Sequence, residues 1–210
     1  MGLRHLTAAL MAPLALLGAP ATAQQTPAPS TNTYAVPDPP PDPVAQLTEI
    51  LALYDEVCLK AFPNDDAVAQ AMAAHHGEAL SPSEVDRYLR GDPGVGWRLN
   101  GAAAAYVVTV EEPPFHACGI RTITAAGFAN LQPYIDLATA YQGGRTAMHQ
   151  GPVDMRVGNV NTHAIGDQLT TADGGHENLL VFNTEPAEPH AEHTGIEVRF
   201  VHQVFPPETQ

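Results

Sequence analysis

Two cysteines constrain this chain more than any other feature. Cys58 sits in EVCLKAFP (56–63) and Cys118 in PPFHACGIR (113–121). Their meaning depends on the compartment, and the first residues point to one. MGLRHLTAALMAPLALLGAPATAQ has a short basic start at Arg4 and His5, an apolar run from Leu6 to Leu17, and small residues at Ala21-Thr22-Ala23. That is the pattern of a secretory signal peptide, residues 1–23, cut between Ala23 and Gln24. The apolar run is shorter than the about 20 residues a membrane span needs, and no later segment is apolar enough. The expectation is a periplasmic or secreted protein with no integral membrane span after signal cleavage. In an oxidising compartment an even cysteine count predicts a disulfide between Cys58 and Cys118.

The alternative for Cys118 is a nucleophile with His116 as its base. Residues at i and i+2 of a strand share a face. A reactive thiolate, however, needs an exposed, electropositive setting. Here the neighbours are Phe115, Ala117 and Ile120, with Arg121 the only nearby cation. The surroundings favour the disulfide. It would close a long loop between a helix and a strand.

Residues 24–43, QQTPAPSTNTYAVPDPPPDP, lack periodicity and are crowded with proline. They read as a disordered, extended tether. Residues 44–210 then fit a single α+β domain, able to bury about 70 % of its unfolded surface. The full chain has 9 Lys+Arg against 23 Asp+Glu. Such an acidic chain repels phosphate backbones, so nucleic acid is excluded as a partner. An envelope protein or a small molecule remains.

Asp42-Pro43 is a helix start, a capping carboxylate followed by proline at the first helical position. Val44, Leu47, Leu51, Tyr54, Cys58 and Ala61 follow at spacings of three and four, one face of an amphipathic helix ending near Phe62-Pro63. Asn64 can cap a second helix that stops near Gly77. Ser81-Pro82-Ser83-Glu84 has the form of a capping box and opens a short third. From Gly96 the period changes to two. Trp97 and Leu99 begin it, Ala105–Val110 carries it clearly, and Phe115–Thr124 is the next strand. Asn130–Tyr141 is a helix if Pro133 lies in its first turn. Met155–Leu169, Asn178–Thr184 and Gly195–Phe205 are the last strands.

These elements predict an α+β fold: N-terminal helices, then an antiparallel sheet with one inserted helix, in the order β-β-α-β-β-β. That order resembles PAS-like sheets and, with helices in front, cone-shaped folds of the nuclear-transport-factor-2 type. The likeness concerns element order alone and implies no functional residue. The stretches EVCLKAFP, GDPGVGW (91–97) and EPPFHACGI (112–120) also resemble those of a group of small exported proteobacterial proteins of unknown function. That resemblance implies an exported domain whose paired cysteines are structural.

Histidine is the polar residue in excess, at 10 in the chain. Glu188-Pro189-His190-Ala191-Glu192-His193 offers a His-x-x-His with flanking carboxylates, suited to zinc or copper. His190, His193 and Glu192 are the metal candidates, and His163, His176 and His202 could complete a site. The competing reading is a solvated acidic loop. Gly91–Gly96 superficially suggests a phosphate loop, but it follows a helix and lacks the Lys-Ser/Thr ending, so it reads as a turn. Glu111 and Glu112 are adjacent in a strand, point to opposite faces and cannot flank one bond. Familiar nucleophile and metallohydrolase motifs are absent. The expected function is therefore non-catalytic binding or interaction in the cell envelope, without a cofactor. Histidine-based metal binding is the second reading. An unfamiliar hydrolase with a base such as His116 is the third.

Overall fold

The computed structural model describes residues 42–158, 160–188 and 196–207. The segments read as signal peptide and tether, up to residue 41, and the metal candidates His190, Glu192 and His193 lie outside the described residues.

Helix α1 (Pro43–Tyr54) starts at the expected cap. The Asp42 carboxylate accepts the Val44 N–H at 2.9 Å, satisfying a donor that has no partner within the helix. The helix continues into a π-helical stretch, Asp55–Ala61, that holds Cys58. Helix α2 (Asp65–Ala74) is capped by Asn64, whose side chain accepts the Ala67 N–H at 3.1 Å. Helix α3 (Pro82–Leu89) begins where the Glu84 carboxylate accepts the Ser81 N–H at 2.9 Å; the same carboxylate group takes the Arg98 guanidinium at 2.6 Å. Helix α4 (Gln132–Gln142) has Pro133 in its first turn and ends on Gly143, whose positive φ of 56° suits a residue without Cβ.

The remaining elements form one antiparallel sheet. They are β1 (Glu78–Ala79), β2 (Gly94–Asn100), β3 (Ala105–Glu111), β4 (Ala117–Thr124), β5 (Ala147–Val157), β6 (Val160–Thr170), β7 (His176–Pro186) and β8 (Ile196–Phe205). Their spatial order is β1-β2-β3-β4-β8-β7-β6-β5. The fold is α+β, but the order β-β-α-β-β-β is corrected: four strands precede α4 and four follow it. The main error is the span Met155–Leu169, read as one strand. It contains a hairpin in which Val157 pairs with Val160 after Gly158 turns at φ +60°. Gly158-Asn159 is a two-residue hairpin signal that the apolar alternation on either side obscured.

The sheet is thus two meanders, β1–β4 and β5–β8. Helix α4 carries the chain from β4 to the far edge, and β8 returns to pair with β4 at the seam. Helices α1, α2 and α4 cover one face. Ile50, Tyr54, Val57 and Met72 pack there with Val108, Ile120, Leu179, Val181 and Phe200 in one buried cluster. Helix α3 lies on the opposite face, mainly over β2 and β3, and its Tyr88 reaches Arg121 of β4. It can approach because Gly94 has no side chain. A Cβ there would stand 2.5 Å from Leu89 and 2.3 Å from the Val110 carbonyl. Among the described residues no helix covers the second meander on that face. No helix among the described residues is long and apolar enough to cross a membrane.

Candidate functional site

Cys58 and Cys118 form a disulfide, with Cα atoms 5.4 Å apart. Both residues are fully buried. The bond consumes the thiol that the Cys–His reading required. His116 is engaged elsewhere: its Nε2 lies 2.9 Å from Asp65 Oδ1, and its ring meets Phe62 edge-on at 4.5 Å. The histidines offered as companions of a metal loop do not gather. His163 sits between Asp154 at 2.6 Å and Glu185 at 3.2 Å, and these bonds raise its pKa. His202 is buried on the helix-covered side, where its Nδ1 donates to the Cys58 carbonyl at 2.6 Å. Among the described residues no group of three or more His, Cys, Asp or Glu could hold a metal ion.

The geometry draws attention to the seam instead. Arg121 on β4 and Arg199 on β8 are direct cross-strand partners. They share the face that carries α3. Like charges placed opposite each other destabilise a sheet, and here Arg121 is buried and Arg199 half-buried. The Arg121 side chain is only 4 % exposed. Its Nε lies 3.4 Å from Glu197 Oε1, an ion pair without hydrogen-bond alignment, since that Nε has no hydrogen-bond partner. Its Nη1 donates to the Tyr88 carbonyl at 3.2 Å, and its guanidinium stands 5.0 Å from the centre of the Tyr88 ring.

Arg199 is the less satisfied of the two. It has no carboxylate within ion-pair distance among the described residues, and its buried Nε has no hydrogen bond. Burial pushes its pKa down to about 10, and Arg121 adds to this, while Glu197 and Glu111 oppose it. The side chain passes over Gly119, where an added Cβ would lie 3.4 Å from Nε. Burying a cation without a hydrogen-bonded counter-ion costs several kcal/mol.

Arg199 lies on the wall of a cleft of about 520 Å³. The end of α3 and its cap, Tyr88 to Arg90, form one side, and Met155 and Val160 form the other. Phe182, Thr184, Glu111 and Glu197 complete the floor beside it. Burial, then repulsion from Asp92, raises the Glu111 pKa above the usual carboxylate range. On the far side of Tyr88 a smaller cavity of about 130 Å³ receives Arg121. Tyr88 and Glu197 line both spaces. A size of 300–1,000 Å³, mostly apolar walls and a few convergent polar groups are the usual properties of small-molecule sites.

No family model, curated protein or solved structure matches the chain. Sequence reading missed both arginines as site residues and dismissed Glu111. One signal was available. The chain has only 9 basic residues, and two of them interrupt apolar strand runs, in GIRTIT and EVRFV. A charge at the centre of a buried strand needs a partner or a purpose.

Proposed function

We propose that this protein is an exported, non-catalytic binding domain of the cell envelope, and that it holds a small molecule in the cleft beside Arg199. The observation that carries the reading is the half-buried Arg199 side chain, whose buried Nε no residue of the described chain satisfies. A group of this kind is stabilised when a ligand supplies the missing acceptor, and it costs stability until then. The location agrees with this. The cleft lies at the seam of two meanders, on the half of the face that α3 leaves uncovered. The disulfide supports export, because such bonds persist outside reducing compartments.

Native mass spectrometry of the untagged protein, purified from the periplasm of an expression host, tests the reading. The expected spectrum contains a bound small molecule that is lost in Arg199→Gln while the variant keeps its disulfide and its thermal transition. A spectrum without added mass, together with no change at the Arg199 Nε–H resonance across a metabolite mixture, would refute it.

A further inference from the structure

We infer that the ligand of this cleft is an organic monocarboxylate with an apolar body, an inference that rests on the binding reading above. The arginine supplies the first half. A guanidinium presents parallel N–H donors in a planar fork that matches a carboxylate, and the pairing strengthens where water is excluded. Arg199 offers that fork at the cleft, and Arg121, its cross-strand partner beside it in the neighbouring cavity, adds to the local positive potential.

The charge balance limits how much negative charge the ligand can bring. Arg90 and Arg199 face Asp92, Glu111 and Glu197 around the cleft. Carboxylates outnumber cations there, and Arg121, which lines the neighbouring cavity, is already opposed by Glu197 at 3.4 Å. A dianion such as phosphate would meet three carboxylates without a surplus of cations, whereas a single carboxylate needs only Arg199. The apolar half follows from the rest of the lining. Leu89 on the α3 side, Phe182 in the floor, and Val160 and the 42 % exposed Met155 on the far side border the cleft. A small, fully hydrated anion would leave that wall facing water. An alkyl or aryl body would cover it.

The full chain as exported is titrated by calorimetry with octanoate, acetate, inorganic phosphate and octan-1-ol. The Arg Nε–H resonances of labelled protein are followed in parallel. The expected order places octanoate at least about tenfold tighter than acetate, because apolar burial adds to the ion pair. It also binds at least about tenfold tighter than octan-1-ol, which cannot form the charge-assisted bonds. Arg199→Gln should weaken octanoate about tenfold or more, and Phe182→Ala should weaken octanoate but not acetate. Both variants are compared at equal thermal stability, and Phe182→Ala covers the case in which the arginine variant does not fold. Equal affinity for octan-1-ol and octanoate overturns the carboxylate class and leaves the binding reading standing. Tighter binding of phosphate than of octanoate does the same. No response to any of the four overturns the inference. If the purified protein then also carries no small molecule, the binding reading falls with it.

Discussion

The two faces of the sheet treat buried polarity in opposite ways. Under the helices, polar groups that enter the core bring partners with them. The Gln46 side-chain amide donates to Thr122 Oγ1 at 2.9 Å and to the Ile123 carbonyl at 2.7 Å. The Tyr54 hydroxyl donates to the Val201 carbonyl at 2.9 Å, and the Tyr106 hydroxyl donates to the Glu49 carboxylate at 2.6 Å. Among the described residues two buried side-chain atoms on that side lack a hydrogen bond, Tyr134 Oη and His202 Nε2. Burial favours the neutral form of both residues. On the other face Arg121 and Arg199 remain charged, stand side by side, and keep Nε atoms without a hydrogen bond, that of Arg121 only in an ion pair with Glu197. An unmet neutral atom costs about 1–3 kcal/mol and an unmet charge costs more. The covered face is therefore arranged for stability, and the open face gives some of it up.

Four perturbations test that contrast, taken from the largest expected effect to the smallest. Removing the disulfide as Cys58→Ala/Cys118→Ala should cost about 4 kcal/mol in the chain-entropy model, for a bond spanning 60 residues. Thermal denaturation should show a fall of ~10 °C or more. An unchanged midpoint would mean that packing around Ile120 and Phe200, rather than the bond, holds α1 to the sheet. Gln46→Ala should cost about 2 kcal/mol, because it strips the Ile123 carbonyl of its side-chain donor inside the protein. Urea unfolding measures this, and a loss below the error of the method would remove the claim that satisfied polarity stabilises the covered face.

Arg199→Met should move stability the other way, raising it by about 1 kcal/mol, since an apolar side chain of similar reach replaces a half-buried charge with an unsatisfied Nε. The same urea experiment reads it. A loss of stability instead would make Arg199 a structural residue and end the contrast between the faces. The smallest effects are in pH dependence, and their signs are opposite. His202 is held below its ordinary value by burial, against the pull of the Cys58 carbonyl and Glu177 and with Arg145 and His116 lowering it further. Between that lowered value and about 6.5 the unfolded chain binds the extra proton. The contribution of His202 is therefore complete above pH 6.5 and declines as the pH falls below it. Glu111 is raised, so its contribution is present at low pH and declines as the pH rises through its folded value. Protonating Glu111 also removes a negative charge from the cleft, so octanoate affinity should rise as the pH falls through the same titration. Stability measured from pH 7.5 to 5 in the wild type and in His202→Gln isolates the first effect, and parallel curves would refute it. Calorimetry of octanoate against Glu111→Gln isolates the second, and an unchanged pH slope would refute that.

Much of the covered side was legible in the residues. Asp42-Pro43, Asn64 and Ser81-x-x-Glu84 start helices because a short polar side chain supplies what the first turn lacks, and that chemistry is local. Cys58 and Cys118 pair because each lies on an apolar stripe that must face the core. The hairpin at Gly158 was written in the sequence as Gly-Asn and was overridden by the alternation around it. The cleft was not legible. Arg121 lies 78 positions before Arg199, and the two meet only because β8 pairs with β4 rather than with another strand. Glu111 and Glu112 were read as neighbours in one strand, but β3 ends at Glu111. Dismissing them as a pair hid the fact that Glu111 stands with Glu197 on the face of the arginines.

The sequence by itself determined where helices begin, which residues turn inward and that the two cysteines belong together, because these follow from hydrogen-bond supply, side-chain periodicity and compartment. The tertiary structure decided the strand order, which face α3 would cover and which it would leave uncovered, and the meeting of Arg121 with Arg199. Those depend on the register between strands distant in the chain. No local preference carries that register. It is selected when both apolar faces of the helices and strands close on each other at once.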